Sequence, residues 1–286
     1  MRASSSLLLA AALASTFGCV RQAPPPVYFP ANVALAQEGV VAVATQHLDG
    51  SFTLCSGTLV APNLVLTARH CVSRALTARP ACDVHGASHN GEHLAEDDDP
   101  SAITILVGDR VDPNVDEPRA RATKTVRPTT QVLCDADLAF LVLDRDIVGV
   151  EIVPMRLGAP VGAGDVVVPV GFGGGTAGIV GTRAARSPSP VLVVGPGHNG
   201  STGAVLGPHE FEVDGATCKG DSGGPAIDAK TGEIVGVVSR GASCFGEGNH
   251  VYTRVDAYAR LARDAFAAAR TESAVRVARR STPNNE

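Results

Sequence analysis

Gly220-Asp221-Ser222-Gly223-Gly224-Pro225 is the stretch on which the reading of this chain turns. A serine flanked by glycines sits on backbone that turns tightly and leaves the hydroxyl exposed. The absent side chains also let a substrate carbonyl approach backbone N–H groups. Those of Gly220 and Ser222 are the donors expected to receive a developing oxyanion. A Gly-rich turn holding an incidental serine is the plain alternative.

A nucleophilic serine needs a base, and the base needs an orienting carboxylate. Leu66-Thr67-Ala68-Arg69-His70-Cys71 follows an apolar run and offers the base, since imidazole titrates near neutrality. On extended backbone Arg69 would point away from His70. Asp137-Leu138-Ala139-Phe140-Leu141 puts a carboxylate at the edge of a buried strand, where it can be kept dry and bonded to the imidazole. Asp135, two residues earlier, is the rival on the same face; Asp137 abuts the apolar run directly and is preferred. The chain order His, Asp, Ser differs from that of subtilisins and α/β-hydrolases.

Around these strings the chain reads as many short strands. Apolar runs occur at residues 39–43, 52–60, 64–67, 103–107, 138–143, 166–170, 191–194 and 234–238. Turn signals such as Pro62-Asn63 separate them, with no alternation of strand and helix, which points to antiparallel barrels or sandwiches. Residues 79–101 read as a polar loop. One good helix is expected over residues 256–270, with Asp256 as its cap, followed by a flexible tail at 271–286.

Together these strings resemble the nucleophile, histidine and aspartate motifs of the chymotrypsin/trypsin-type serine peptidases. Cys55-Ser56-Gly57-Thr58-Leu59, Gly171-Phe172-Gly173, Val238-Ser239-Arg240-Gly241 and Val251-Tyr252-Thr253-Arg254-Val255 resemble further parts of that family, so the likeness spans about residues 39–262. It implies an all-β fold of two six-stranded antiparallel barrels, about residues 39–150 and 151–255, with a closing C-terminal helix. It also implies a peptidase domain over residues 39–270 whose active site lies in the cleft between the barrels. The implied activity is serine endopeptidase, acting on protein or peptide substrates through an acyl-enzyme and needing no cofactor. His70 would be the general base, Asp137 the orienting carboxylate, Ser222 the nucleophile, and the Gly220 and Ser222 N–H groups the oxyanion hole. The alternative is a catalytically inactive binding protein on a peptidase fold; keeping all three triad residues speaks for the enzyme.

The N-terminus reads as a targeting segment. Met1-Arg2 supplies a positive start, and residues 7–14 (LLLAAALA) form an apolar stretch too short to span a bilayer. Gly18-Cys19 resembles the end of a bacterial lipoprotein signal, which would make residues 1–19 the signal and Cys19 a lipidation site. Thr16 and Phe17 depart from that pattern, and ordinary cleavage nearby is the alternative. Residues 20–38, with Pro24-Pro25-Pro26, read as a linker or pro-segment. The expected location is secreted or anchored to the cell envelope. A net charge of −5 gives no sign of a nucleic-acid partner.

The chain has seven cysteines. Export permits disulfides, and an odd count leaves one over, which Cys19 explains; the pairing of the other six stays open on sequence alone. The resemblance implies Cys55 with Cys71, pinning the histidine loop, and Cys218 with Cys244 beside the specificity pocket. Cys82 and Cys134 then remain as a third pair.

The resemblance also bears on specificity. Ala216, six residues before the nucleophile, takes the place at the pocket base where trypsin-like enzymes carry an aspartate. A buried cationic side chain would be unpaired there, so no preference for Lys or Arg is expected. Thr217, Ser239, Gly241 and His250 match other pocket positions. His250 stands where a glycine is usual, so with Thr217 it is expected either to recognise an acidic side chain or to narrow the pocket.

In the family a freed Ile-Val-Gly-Gly N-terminus pairs with the aspartate before the nucleophile, here Asp221. No such string is present; Val40-Val41 lies near the expected place without the glycines. Either maturation is unusual or Asp221 has another partner. Finally, His85, His89 and His93 recur at intervals of four beside acidic residues. Such a set could bind Zn²⁺ on a helix, or Ca²⁺ through the acidic run; the Gly- and Asn-rich setting reads instead as a solvated insertion, and no metal is assigned.

Overall fold

The apolar runs become strands whose registers close two barrels. The computed structural model describes residues 29–46, 52–174, 181–215, 217–241 and 250–281. In the first barrel β1 (Val40–Gln46), β2 (Phe52–Ala61) and β3 (Leu64–Thr67) form a meander. It is completed by β4 (Ile103–Leu106), β5 (Ala120–Val126) and β6 (Ala139–Leu143). The closed order is β1-β2-β3-β6-β5-β4. Strands β3, β4 and β6 are buried along their whole length, because one face fills the barrel and the other is covered.

The second barrel uses β7 (Val166–Gly171), β8 (Ala184–Ala185), β9 (Ser189–Val194), β10 (Glu210–Val213), β11 (Pro225–Asp228), β12 (Ile234–Arg240) and β13 (His250–Arg254). The order runs β8-β7-β9-β10-β13-β12-β11, and β11 pairs back onto β7. Six strands therefore close, with β8 as a flap on β7. Val167, Phe211, Val213, Ala226 and Tyr252 pack its interior. The fold is all-β, two six-stranded antiparallel barrels with a C-terminal helix.

Three expectations need correction. The tether ends early, since Ala31–Glu38 is a helix, α1, entered at Pro30 and left at Gly39. Val33 and Ala36 share one helical face and are buried in the main core, while the Asn32 side chain donates to the Lys230 carbonyl at 2.9 Å. At the other end, Asp256 does not cap. It pairs with Arg254 at 2.6 Å and opens a 3-10 turn, Asp256–Tyr258, that leads into α2, Ala259–Ser281. The helix outruns residue 270 because its later turns are anchored on the first barrel. Arg276 donates to the Leu143 carbonyl at 2.8 Å and to Asp146 at 2.5 Å. Last, the 79–101 loop contributes a short strand, Leu94–Asp97, paired with Ser73–Ala75.

Candidate active site

Strand pairing brings the base to its carboxylate. In the β3–β6 ladder Thr67 lies opposite Ala139. The chain leaves β3 and enters β6 at the same rim, so His70 and Asp137 meet there. Asp137 is fully buried. Its Oδ1 accepts the backbone N–H of His70 at 3.0 Å, and its Oδ2 lies 2.8 Å from Nδ1. This grip places the ring proton on Nδ1 and leaves Nε2 as the free acceptor. Burial works to lower the His70 pKa, but the Asp137 charge and hydrogen bond outweigh it and the pKa is raised. For Asp137 burial works upward, and the His70 charge with hydrogen bonding from His70 outweighs it, so the carboxyl stays below its ordinary range.

The extended backbone on which the Arg69 reading depends is not what forms. Arg69–Cys71 is a 3-10 turn and not extended chain, so the side chain swings inward and is fully buried. It donates to Gln131 and pairs with Asp97 at 3.7 Å. Asp97 also binds Arg127 at 2.6 Å.

Asp135 is turned away from the triad. Its φ of 66° aims the carboxylate at the second barrel, where it accepts the His209 N–H at 2.5 Å. Its own N–H donates to Glu210 at 2.8 Å and its carbonyl accepts from Tyr258 Oη at 2.7 Å. Asp135 is thus a joint between the barrels. Glu210, fully buried, is held by Arg240.

Ser222 sits on a turn clamped between the barrels. Ser56 N–H donates to the Ser222 carbonyl at 2.8 Å, and Gly223 N–H to the Val238 carbonyl at 2.9 Å. Gly220 has φ +101°, and Gly223, at φ +80°, lies so close to Thr67 and Ser56 that a Cβ would collide with both. Both positions need glycine. Among the described residues neither Gly220 N–H nor Ser222 N–H is spent on another protein group, so both remain for an oxyanion. His70 and Ser222 face one cleft of about 1380 Å³, which Phe172, Thr217, Ser239 and Arg240 also line. No hydrogen bond joins Ser222 Oγ to His70; such bonds commonly tighten only around substrate.

Of the pocket residues, Gly241 is exposed at the cleft, and Ala216 lies outside the described residues. His250 is buried behind Thr217. Its Nδ1 lies 2.9 Å from Thr217 Oγ1 and 3.3 Å from Thr217 N, and burial holds its pKa below the ordinary value.

Cys55 is bonded to Cys71 and Cys82 to Cys134. Cys218 is disulfide-bonded, while Cys244 and Cys19 lie outside the described residues. The three histidines do not converge. His85 and His89 are exposed, whereas His93 is buried, with Nδ1 accepting from Leu133 N–H at 3.2 Å and Nε2 lying 2.8 Å from Asn90 Oδ1. The bland reading of a wholly solvated insertion therefore fails at His93.

Two contributors escaped sequence reasoning. Ser56 lay inside a quoted motif with nothing to mark its hydroxyl. Arg186 lies in no motif; the only signal was the missing partner for Asp221.

The family model for Trypsin matches residues 32–262. The cercarial protease of Schistosoma mansoni is similar, at 28% identity over 213 residues, covering 67% of this chain and 72% of that protein.

Proposed function

The chain belongs to the trypsin family and is a serine-type endopeptidase; on that premise we propose how its residues divide the reaction. Ser222 Oγ attacks the scissile carbonyl while His70 Nε2 takes its proton. Asp137 holds the imidazole in the working tautomer and stabilises the imidazolium. The N–H groups of Gly220 and Ser222 bind the oxyanion. His70 then gives its proton to the leaving amine, and a water repeats the sequence on the acyl-enzyme. The observation that carries this reading is the two-point grip of Asp137 on His70, at 3.0 Å and 2.8 Å. Fluorophosphonate labelling that is lost in Ser222→Ala is the expected result; equal labelling of that variant refutes it.

The specificity proposed is for an uncharged P1 side chain. Ala216 supplies no carboxylate for a cation, and the pocket side formed by Thr217 is backed by an imidazole whose pKa burial depresses. A neutral imidazole gives an acidic P1 no ion pair, which favours the narrowing role for His250. A positional peptide library should show little cleavage after Lys or Arg; strong cleavage after Arg sinks the proposal.

Export and a lipid anchor at Cys19 complete the reading, on the strength of Met1-Arg2, the apolar stretch 7–14 and Gly18-Cys19. Incorporation of labelled palmitate in a bacterial host, lost in Cys19→Ser, is the test. A mature chain that lacks Cys19 overturns it.

A further inference from the structure

The carboxylate beside the nucleophile is satisfied entirely from within the folded chain. Asp221 is buried. Its Oδ1 accepts the Gly173 N–H at 2.8 Å. Its Oδ2 accepts the Cys218 N–H at 2.8 Å and Nη2 of Arg186 at 2.7 Å. The same Nη2 donates to the Gly173 carbonyl at 3.0 Å. Arg186 is delivered by the flap strand β8, which pairs Ala185 with Val170 and Ala184 with Gly171. Its own N–H is tied to the Pro169 carbonyl at 2.8 Å.

These bonds fix the turn that carries both oxyanion donors. Asp221 N–H donates to the Cys218 carbonyl at 2.9 Å, and Gly224 N–H to the Asp221 carbonyl at 2.9 Å. Where the carboxylate goes, residues 218–224 follow. An unpaired carboxylate at this depth is costly, and a guanidinium keeps its charge at any working pH.

A second observation is independent of the first. Residues 29–41, which hold the Val40-Val41 pair, are built into the fold. Asn32 is tied to Lys230, and Val33 and Ala36 are core residues. Val40 and Val41 lie in β1 opposite Thr58 and Gly57. Withdrawing an amine from residues 29–41 to reach Asp221 would dismantle α1 or strand β1 of the closed first barrel.

We propose that Arg186 is a positioning residue that locks the oxyanion turn through Asp221, so that this peptidase is competent with no N-terminal ammonium inserted beside its nucleophile. The inference rests on the assignment of Gly220 and Ser222 to the oxyanion site. The Ser222→Ala labelling control tests that assignment separately, so failure of one is distinguishable from failure of the other.

The experiment compares the wild type with Arg186→Gln and Arg186→Lys by kcat/KM as a function of pH, alongside thermal unfolding. Arg186→Gln is expected to lose about 100-fold or more in kcat/KM, the scale of a lost oxyanion donor. Arg186→Lys should recover part of that loss and gain an alkaline limb near pH ~10, where an ammonium gives up its proton; the wild type should have no such limb. A purely structural role would lower the melting temperature and leave the shape of the pH profile unchanged. Mass spectrometry of the active wild type should find its N-terminus at the signal cleavage site near Cys19. Full activity in Arg186→Gln overturns the proposal. So does an active-site titre that rises only after cleavage within residues 20–41.

Discussion

The Ser56 hydroxyl of the first barrel donates to the carbonyl of Gly220 at 2.7 Å. The same oxygen accepts the Phe172 N–H of the second barrel at 2.9 Å. One side chain thus fixes the Gly220–Asp221 peptide plane against both barrels, one peptide on from the Gly220 N–H. Ser56→Ala leaves a buried N–H without its acceptor and releases the Gly220 carbonyl. The expected cost is about 1–3 kcal/mol of stability. Fluorophosphonate labelling should slow several-fold, measured beside urea unfolding; labelling at the wild-type rate argues that the turn holds without this bond.

The His70–Asp137 pair sets the acid side of the pH profile. The working base is neutral His70, and its pKa is raised above the ordinary 6.5. The kcat/KM should therefore fall, as pH drops, through a midpoint above 6.5. Asp137→Asn removes what raises the pKa and leaves the burial that lowers it, so the midpoint moves down. The rate should fall about 10⁴-fold, because the tautomer is no longer held. An unchanged midpoint in that variant contradicts the assignment.

Arg69 is a structural cation lodged beside the catalytic base. Arg69→Ala empties a fully buried site and strands Asp97 and Gln131. A loss of about 2–4 kcal/mol is expected from the cavity and the broken pair. His70 itself stays held by Asp137 and by the Cys55–Cys71 bond. Activity per folded molecule, normalised by active-site titration, should accordingly change by less than about threefold, a difference within the ordinary context-dependence of such contacts.

The last turns of α2 are anchored, so ending the chain at Arg270 should be felt. That truncation removes Arg276 and its bonds to Leu143 and Asp146. The expected loss is about 1–2 kcal/mol, read as a lower urea midpoint. Arg276→Ala alone should reproduce most of it. Equal stability of the shortened chain shows the extension to be dispensable.

What the sequence determined by itself are features whose cause lies within a few residues. The glycines around Ser222, the apolar run behind Asp137 and the histidine after a buried strand each announce their chemistry locally. The alternation of strand and turn limits the fold to antiparallel layers for the same reason. The tertiary structure decided what depends on residues distant along the chain. Arg186 reaches Asp221 across 35 residues, and Ser56 reaches Gly220 across 164. Neither pairing leaves a periodic or motif-like trace, because a hydrogen bond between distant segments constrains one side chain and not its neighbours. The burial of Arg69 was hidden for a similar reason: the partners that reward it, Gln131 and Asp97, lie on another loop and another strand. The helix α1 belongs with these, since Val33 and Ala36 make an apolar face only once two barrels exist to cover it.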